Sequence, residues 1–425
     1  MRSIRPGPVK NTCISLPGSK SYTHRLMIAA ALSNGRCRLE NCLDSEDTRH
    51  TLSALSQMGA AVQENPDCLI IKGLGGCFLQ TDKPIDLENS GTSMRLLAGI
   101  CPLGQGDYVL TGTERMKERP IHHLLDALNQ IGVQAESING NGCPPIRIKG
   151  QKPAGGQVSI DCSVSSQYLS ALLLMAPLTE TGLNIHVSKG PVSRPYIDMT
   201  VDVLNRFGIR LERSGYDAFH IPGSQVYQAG EYTVPPDASQ ASYFWAAAAI
   251  TGAGITVEGL TRQSLQGDVR FVDVLEQMGC RVNETPEGIT VTGPESRELS
   301  PVSVSMGDMP DLVPTLAVAA AFAEGETVIR DVAHLRAKES DRLAAVRNEL
   351  AKMDISAQIL DDVLIISGGS PHGAEIETYN DHRMAMSFAI AGLRIPGMAI
   401  RNESCVAKSF PGFWEVFDQL YESQA

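Results

Sequence analysis

The residues able to do chemistry are cations and acids placed beside polar helix starts. Lys20, Ser21 and Arg25 lie in GSKSYTHR (18–25), and Arg115, Lys117 and Arg119 in RMKERPI (115–121). Arg194 lies in SRPYID (193–198), Arg336, Lys338 and Arg342 in HLRAKESDRL (334–343), Arg383 in NDHRMAM (380–386) and Lys408 in AKSFPGF (407–413). Singly, each reads as a solvated surface charge. Together they recur at equivalent points of a chain whose net charge is −12, which points to binding of a small anion. The arginines suit bidentate recognition of carboxylate or phosphate. Asp311 in DMPDLV (308–313) and Glu339 in KESDR (338–342) stand among them as proton-transfer candidates. Their plainer readings are a helix cap for Asp311 and a macrodipole-favoured helix-start carboxylate for Glu339. Neighbouring cations would lower both pKa values and desolvation would raise them; residue types alone leave that contest open.

Other chemistries lack their residues. The ten cysteines form no C-x-x-C and the nine histidines no H-E-x-x-H, so neither a zinc nor a redox site is expected. The cysteines are read as small, buried, reduced residues. No P-loop and no G-x-S-x-G occurs, and Gly73, Gly75 and Gly76 read as a turn. A 43% apolar, 20% charged composition is that of a globular chain. Its length of 425 residues suggests two or three domains. The acidic balance disfavours nucleic acid and anionic lipid. No apolar run approaches the roughly 18 residues of a membrane span, and the N-terminus lacks a signal-like apolar stretch. The expectation is a cytoplasmic enzyme or binding protein.

Internal repeats supply the elements that must carry these groups. LSQMGAAV (55–62), LNQIGVQA (128–135), LNRFGIRL (204–211), LEQMGCRV (275–282) and LAKMDISA (350–357) repeat every 71 to 76 residues, and FDQLYESQ (417–424) is a truncated sixth copy. Each reads as a helix end, a Gly or Asp C-cap and the start of a strand. A second phrase runs out of phase with the first. It comprises GSKSYTHRLMIAAAL (18–32), NSGTSMRLLAGI (89–100), SSQYLSALLLMAPL (165–178), DASQASYFWAAAAI (237–250), GDMPDLVPTLAVAAAF (307–322) and NDHRMAMSFAIAGL (380–393). These read as Ser-, Asp- or Asn-capped helices, buried on several sides. CLIIKG (68–73), PIRIKG (145–150), ITVTG (289–293) and VLIISG (363–368) read as strands. The chain is thus an α/β (α+β) protein of six units, divided three and three. Pro235-Pro236 is the expected linker and Pro17-Gly18 a second crossing. Helix starts opening onto one site would attract phosphates.

LPGSKSYTHR, NSGTSMR, RMKERPI, SSQYLSALL, SRPYIDMT, PDLVPTLA, RAKESDRL, YNDHRMAM and AKSFPGF together resemble, in order, the motif set of the 5-enolpyruvylshikimate-3-phosphate synthase family. The resemblance covers nearly the whole chain. It implies the two-domain enolpyruvyl transferase fold, with six βαβαββ repeats arranged three per domain. Residues 1–16 with 236–425 would form one domain and 17–235 the other. It implies transfer of the enolpyruvyl group of phosphoenolpyruvate to the 5-hydroxyl of shikimate 3-phosphate, with release of phosphate, a step of the shikimate pathway toward chorismate and the aromatic amino acids. It further implies a monomer acting on two small molecules, with no cofactor, metal, nucleic acid or membrane partner.

Residue by residue, the resemblance implies that Lys20 contacts both substrates. Ser21, Arg25, Ser165, Ser166, Gln167, Ser193 and Tyr196, with Asp311 and Lys338, would hold shikimate 3-phosphate. Asn89, Gly91, Arg119, Gln167, Glu339, Arg342, Arg383 and Lys408 would hold phosphoenolpyruvate. Asp311 would be the base for the 5-hydroxyl and Glu339 the donor to the methylene carbon, with Lys20 and Lys408 also catalytic. His334 departs from the family pattern, standing where many members carry Asn. Gly91 leaves room in the donor pocket, which would admit an anionic inhibitor such as glyphosate.

Two other readings remain. UDP-N-acetylglucosamine enolpyruvyl transferases share fold and donor but use a loop Cys, and TGTERMKERP (111–120) has none. A non-catalytic anion-binding repeat protein would use the same helix starts but release no phosphate from phosphoenolpyruvate.

Overall fold

The computed structural model describes residues 1–421. Residues 422–424 of the truncated sixth phrase lie outside the described residues. The helices run, in chain order, α1 (Lys20–Leu32), α2 (Glu46–Gln57), α3 (Gly91–Ile100), α4 (His122–Gln130), α5 (Gln167–Met175), α6 (Pro195–Arg206), α7 (Ala238–Thr251), α8 (Phe271–Gln277), α9 (Val313–Ala321), α10 (Arg342–Lys352), α11 (His382–Ala391) and α12 (Phe413–Asp418).

The odd-numbered helices are the small-residue phrases. Every residue of α7 except Ser239 is buried. Small side chains are needed because the helices approach closely: a Cβ on Gly99 of α3 would lie 2.6 Å from the Cβ of Ala171 on α5. The even-numbered helices from α2 to α10 carry the first phrase and end at its repeated Gly or Asp. Gly59, Gly132, Gly208 and Gly279 adopt φ between 77° and 100°, and Asp354 takes φ 62°, a left-handed conformation that Gly adopts freely and Asp tolerates.

Five four-stranded sheets share one pattern: a parallel pair, then an antiparallel hairpin. In one, Gly156–Asp161 lies parallel to Gly182–Lys189, which pairs antiparallel with Ala218–Pro222, itself paired with Glu212–Ser214. The sixth repeat is shortened: Glu375–Ile376 and Ala399–Ile400 pair in parallel, and Arg2–Ser3 adds an antiparallel strand.

The chain forms two compact units, Gly18–Val234 and Met1–Pro17 with the chain from Pro235 onward. Each closes on itself. In the first, the last strand, Glu231–Thr233, lies parallel to Arg36–Glu40. In the second, Thr12–Ile14 lies parallel to Gly254–Glu258. Each unit has its own apolar core, built around α1, α3 and α5 in one and α7, α9 and α11 in the other.

Two sequence expectations need correction. Side-chain capping of the small-residue helices is the exception: Asp237 and Asp381 accept from helix amides, whereas Ser19, Ser90 and Ser166 do not, and the cap of α9 is Leu312. For α9, Pro310 opens a short 3-10 turn that leads into the helix, so no polar cap is required. The cysteines are all free, but Cys13 and Cys77 are exposed and Cys42 is half-buried. Gly75 and Gly76 form the expected turn, with positive φ. Among the described residues no helix is long and apolar enough to cross a membrane.

Candidate active site

In the unit that contains α7 to α12, the site is built on one arginine. Asp341 caps α10, accepting from the Ala344 amide at 3.2 Å, so Arg342 is the first helical residue and points its guanidinium back past the helix start. That guanidinium is 1% exposed. It donates from Nη1 to Asp311 at 2.7 Å, from Nη2 to Glu339 at 2.7 Å and from Nε to Asp381 at 2.8 Å. Burial works against its charge, but the carboxylates of Asp381, Glu339 and Asp311 prevail and hold its pKa above the ordinary arginine value.

Asp311 is the hub of the same cluster. Its second oxygen accepts from Arg383 Nη2 at 2.9 Å, and Lys338 Nζ stands 3.5 Å from the first. Burial opposes ionisation of Asp311, yet Arg383, Lys338 and Arg342 overcome it and hold the carboxyl well below its usual range. Attraction between close charges is strong where water is scarce, which settles the contest the sequence left open: Asp311 is a carboxylate at neutral pH. Arg383, 5% exposed, also donates to the Tyr243 hydroxyl at 3.3 Å. Lys408 is buried as well, at the end of a 3-10 helix over Glu403–Lys408.

His334 is drawn down to about 4, first by burial and then by Lys338. It is therefore a neutral imidazole at neutral pH, and its Nε2 has no hydrogen-bond partner among the described residues. A neutral ring nitrogen can take the uncharged hydrogen-bonding part that an Asn amide would play.

In the unit formed by Gly18–Val234, the helix starts carry a second set. Lys20 opens α1 and pairs with the buried Asp47 at 3.0 Å. Asp47 is held in place by a reciprocal capping box between Ser45 and Thr48 at the start of α2. Ser21 gives its carbonyl to Arg25, which also binds the Tyr196 carbonyl and the Thr200 hydroxyl. Arg25 is 1% exposed, and burial lowers its pKa to about 10. It thus clamps α1 to α6. Ser193, just before α6, is buried with φ 54°.

The starts of α3 and α5 meet. Gln167 donates to Thr92 at 3.0 Å and accepts from Arg95 at 3.3 Å. Ser165 accepts from the Gln167 amide at 3.2 Å and Ser166 is buried beside it. Arg119 donates to both the carbonyl and the side chain of Asn89, at 3.0 and 3.1 Å. Gly91 lies directly beneath the guanidinium groups: a Cβ there would lie 2.5 Å from Arg95 Nη1 and closer still to Arg119.

The structure also sorts the cations. Lys20, Arg25, Arg119, Arg342, Arg383 and Lys408 have side chains mostly withdrawn from solvent. Arg115 and Lys117 instead pair with the exposed Glu118 and Glu114. Arg194 stacks over Tyr216 at 5.5 Å, and Arg336 donates to the Asp361 carbonyl. Among the described residues no group of three His, Cys, Asp or Glu side chains is placed to hold a metal ion.

The sequence profile described as "EPSP synthase (3-phosphoshikimate 1-carboxyvinyltransferase)" matches residues 5–417. The chain belongs to the EPSP synthase family. Proteins named 3-phosphoshikimate 1-carboxyvinyltransferase from Syntrophobacter fumaroxidans and Erwinia tasmaniensis are 42% and 44% identical to it, covering 99% and 98% of both chains respectively. The EPSP synthase structure from Acinetobacter baumannii superposes with a TM-score of 0.81 at 31% identity, over 99% of this chain and 98% of that one. The enolpyruvyl transferase NikO from Streptomyces tendae gives 0.77 at 22% identity, over 98% and 96%, a likeness of fold.

For this member of the EPSP synthase family, sequence reasoning missed the carboxylates that hold the cations. Asp47 and Asp381 are buried and bind Lys20 and Arg342. Arg95, at 4% exposure, ties Gln167 to the carbonyls of Gly91 and Pro120. Asp268 is buried and accepts from the Ser239 hydroxyl. Burial raises its pKa; Arg383 opposes and Asp311 reinforces, leaving it at about 7. The available signal was proximity in sequence: Asp381 precedes His382-Arg383, and Asp341 precedes Arg342.

Proposed function

We propose that the chain transfers the enolpyruvyl group of phosphoenolpyruvate to the 5-hydroxyl of shikimate 3-phosphate and releases phosphate. The observation that carries this reading is the Asp311–Arg342–Glu339 arrangement. These two acids share one buried guanidinium with Asp381, and Lys338 and Arg383 stand beside Asp311, in a chain that matches the EPSP synthase family from residue 5 to residue 417.

The chemistry explains the residue types. Phosphoenolpyruvate carries a carboxylate and a phosphate, and fixed cations neutralise both. Arg119, Arg342, Arg383 and Lys408, with Asn89, Gly91 and Gln167, serve that donor. Ser21, Arg25, Ser165, Ser166, Ser193, Tyr196 and Lys338 serve shikimate 3-phosphate, and Lys20 and Gln167 serve both. Glu339, which takes up a proton once the anionic donor engages Arg342 in its place, gives that proton to the methylene carbon, which leaves cationic character at C2. The 5-hydroxyl oxygen bonds to C2 and loses its proton to Asp311. The tetrahedral adduct then breaks its C2–O bond to phosphate while the methyl carbon returns a proton. Asp311 is ionised and can take that proton; its low pKa makes it a weak base, which suffices because the hydroxyl proton becomes strongly acidic as its oxygen bonds to C2. The reading carries with it a cytoplasmic monomer, which gel filtration and cell fractionation test.

The deciding measurement is phosphate release from phosphoenolpyruvate, with shikimate 3-phosphate in one reaction and UDP-N-acetylglucosamine in another. Release with shikimate 3-phosphate alone is expected. Release with the nucleotide sugar alone would replace the acceptor. Tight binding of phosphoenolpyruvate without release in either would turn the chain into a binding protein.

A further inference from the structure

The segment between Glu377 and Asp381 holds an unusual backbone. Tyr379 and Asn380 are consecutive non-glycine residues with φ of 54° and 53°. Such conformations persist where surrounding structure over-determines them. Here the determinants are visible. Glu349, on α10 and fully buried, accepts from the Tyr379 hydroxyl at 2.8 Å on one oxygen. On its other oxygen it accepts from the Glu377 amide at 2.9 Å and from Lys352 at 2.6 Å. Asn380 in turn accepts from the Asn402 side chain at 3.0 Å, and Asn402 itself has φ 46°.

These contacts join the three elements that carry this unit's deepest cations. Arg342 opens α10, two turns before Glu349. Arg383 stands two residues beyond Asp381, which accepts from its amide at 3.0 Å. Asn402 begins the 3-10 helix that ends at Lys408. We propose that Glu349 and Tyr379 are positioning residues: they clamp the 377–381 segment to α10 and so set the spacing of Arg342, Arg383 and Lys408 for one anionic substrate. Neither side chain is assigned contact with substrate. The clamp fixes geometry that the cations alone would not hold, because like charges brought together repel. The proposal rests on the reading of these cations as the phosphoenolpyruvate set.

The test uses Tyr379→Phe, Glu349→Ala and Glu349→Gln in the full chain, with KM measured for each substrate. Tyr379→Phe removes one hydroxyl from a partly exposed ring, so it keeps the fold even if Glu349→Ala does not. Tyr379→Phe and Glu349→Ala are each expected to raise KM for phosphoenolpyruvate by roughly tenfold, well beyond any change for shikimate 3-phosphate. Glu349→Gln is expected to recover most of the loss, since its amide can bond to the same donors and to the Tyr379 oxygen. The double variant should be no worse than Glu349→Ala. A folded Tyr379→Phe protein with wild-type KM for phosphoenolpyruvate, or equal rises for both substrates, overturns the clamp. Inactivity of the wild type would instead sink the transfer reading. The clamp is then decided by calorimetric titration with phosphoenolpyruvate, where equal affinity of wild type and Tyr379→Phe counts against it.

Discussion

Asp311 receives Arg342 on one carboxylate oxygen at 2.7 Å and Arg383 on the other at 2.9 Å. One acid thereby separates two guanidinium groups that would otherwise repel. It is itself held ionised by those cations, so the carboxylate and the two guanidinium groups fix one another's charge and position.

Asp311→Asn is expected to lower kcat by a factor on the order of 10² to 10⁴, the usual contribution of a positioned acid or base. KM for phosphoenolpyruvate should not rise, because both arginines remain and lose a competing anion. Steady-state kinetics with each substrate varied checks this; wild-type turnover would remove Asp311 from the mechanism.

The same variant makes a prediction about pH and stability. Asp311 has a folded pKa below its unfolded value of about 3.9. Its ion pairs therefore stabilise the fold fully above that unfolded value, and the contribution fades as pH falls through the folded pKa. With Asp268→Asn in both proteins, so that the neighbouring carboxyl that titrates near 7 is silent, the gap in thermal midpoint caused by Asp311→Asn should stay constant from pH 8 to pH 5 and narrow only in stronger acid. A gap that opens or closes near neutrality would contradict the assigned charge state.

Asp268 should behave oppositely. Its folded pKa, about 7, lies above the unfolded value because burial penalises the charged form. The folded state then holds a proton that the unfolded chain has released, so stability falls as pH rises from about 4 to about 7. Asp268→Asn cannot ionise and keeps an acceptor for Ser239. It should match wild type near pH 4 and unfold at a higher temperature than wild type at pH 8. Parallel midpoints at both pH values would count against this.

Gly91→Ala tests the donor pocket. The added methyl would press on Arg119 and Arg95, whose flexible ends must shift. KM for phosphoenolpyruvate should rise, and inhibition by glyphosate, an anion expected in the same pocket, should weaken by at least the same factor. Unchanged inhibition in an active Gly91→Ala enzyme would place glyphosate elsewhere.

Much of this protein was legible in its residues. The repeated Gly or Asp after each amphipathic helix marks a left-handed C-cap, a property of local backbone energetics. The small-residue phrases mark buried helices because close helix approach admits few side chains. Lys20, Arg342 and Arg383 stand in the first turns of helices, and the order of the cation-bearing motifs carries the likeness to EPSP synthases. These features are local in sequence, so the sequence by itself determined them.

Other features depend on groups that meet only in space. Residue type does not separate the cations of RMKERPI; the family resemblance singled out Arg119, and only the fold shows it bound to Asn89 while Arg115 and Lys117 pair at the surface. Nothing in KESDR says that Arg342 will be surrounded by Asp311, Glu339 and Asp381, drawn from positions 311 to 381. Burial and charge act on Asp311 and Asp268 in different proportions and move one carboxyl down and the other up. Desolvation and Coulomb interaction depend on three-dimensional distance and on excluded water, so the charge states at the candidate site were decided by the tertiary structure.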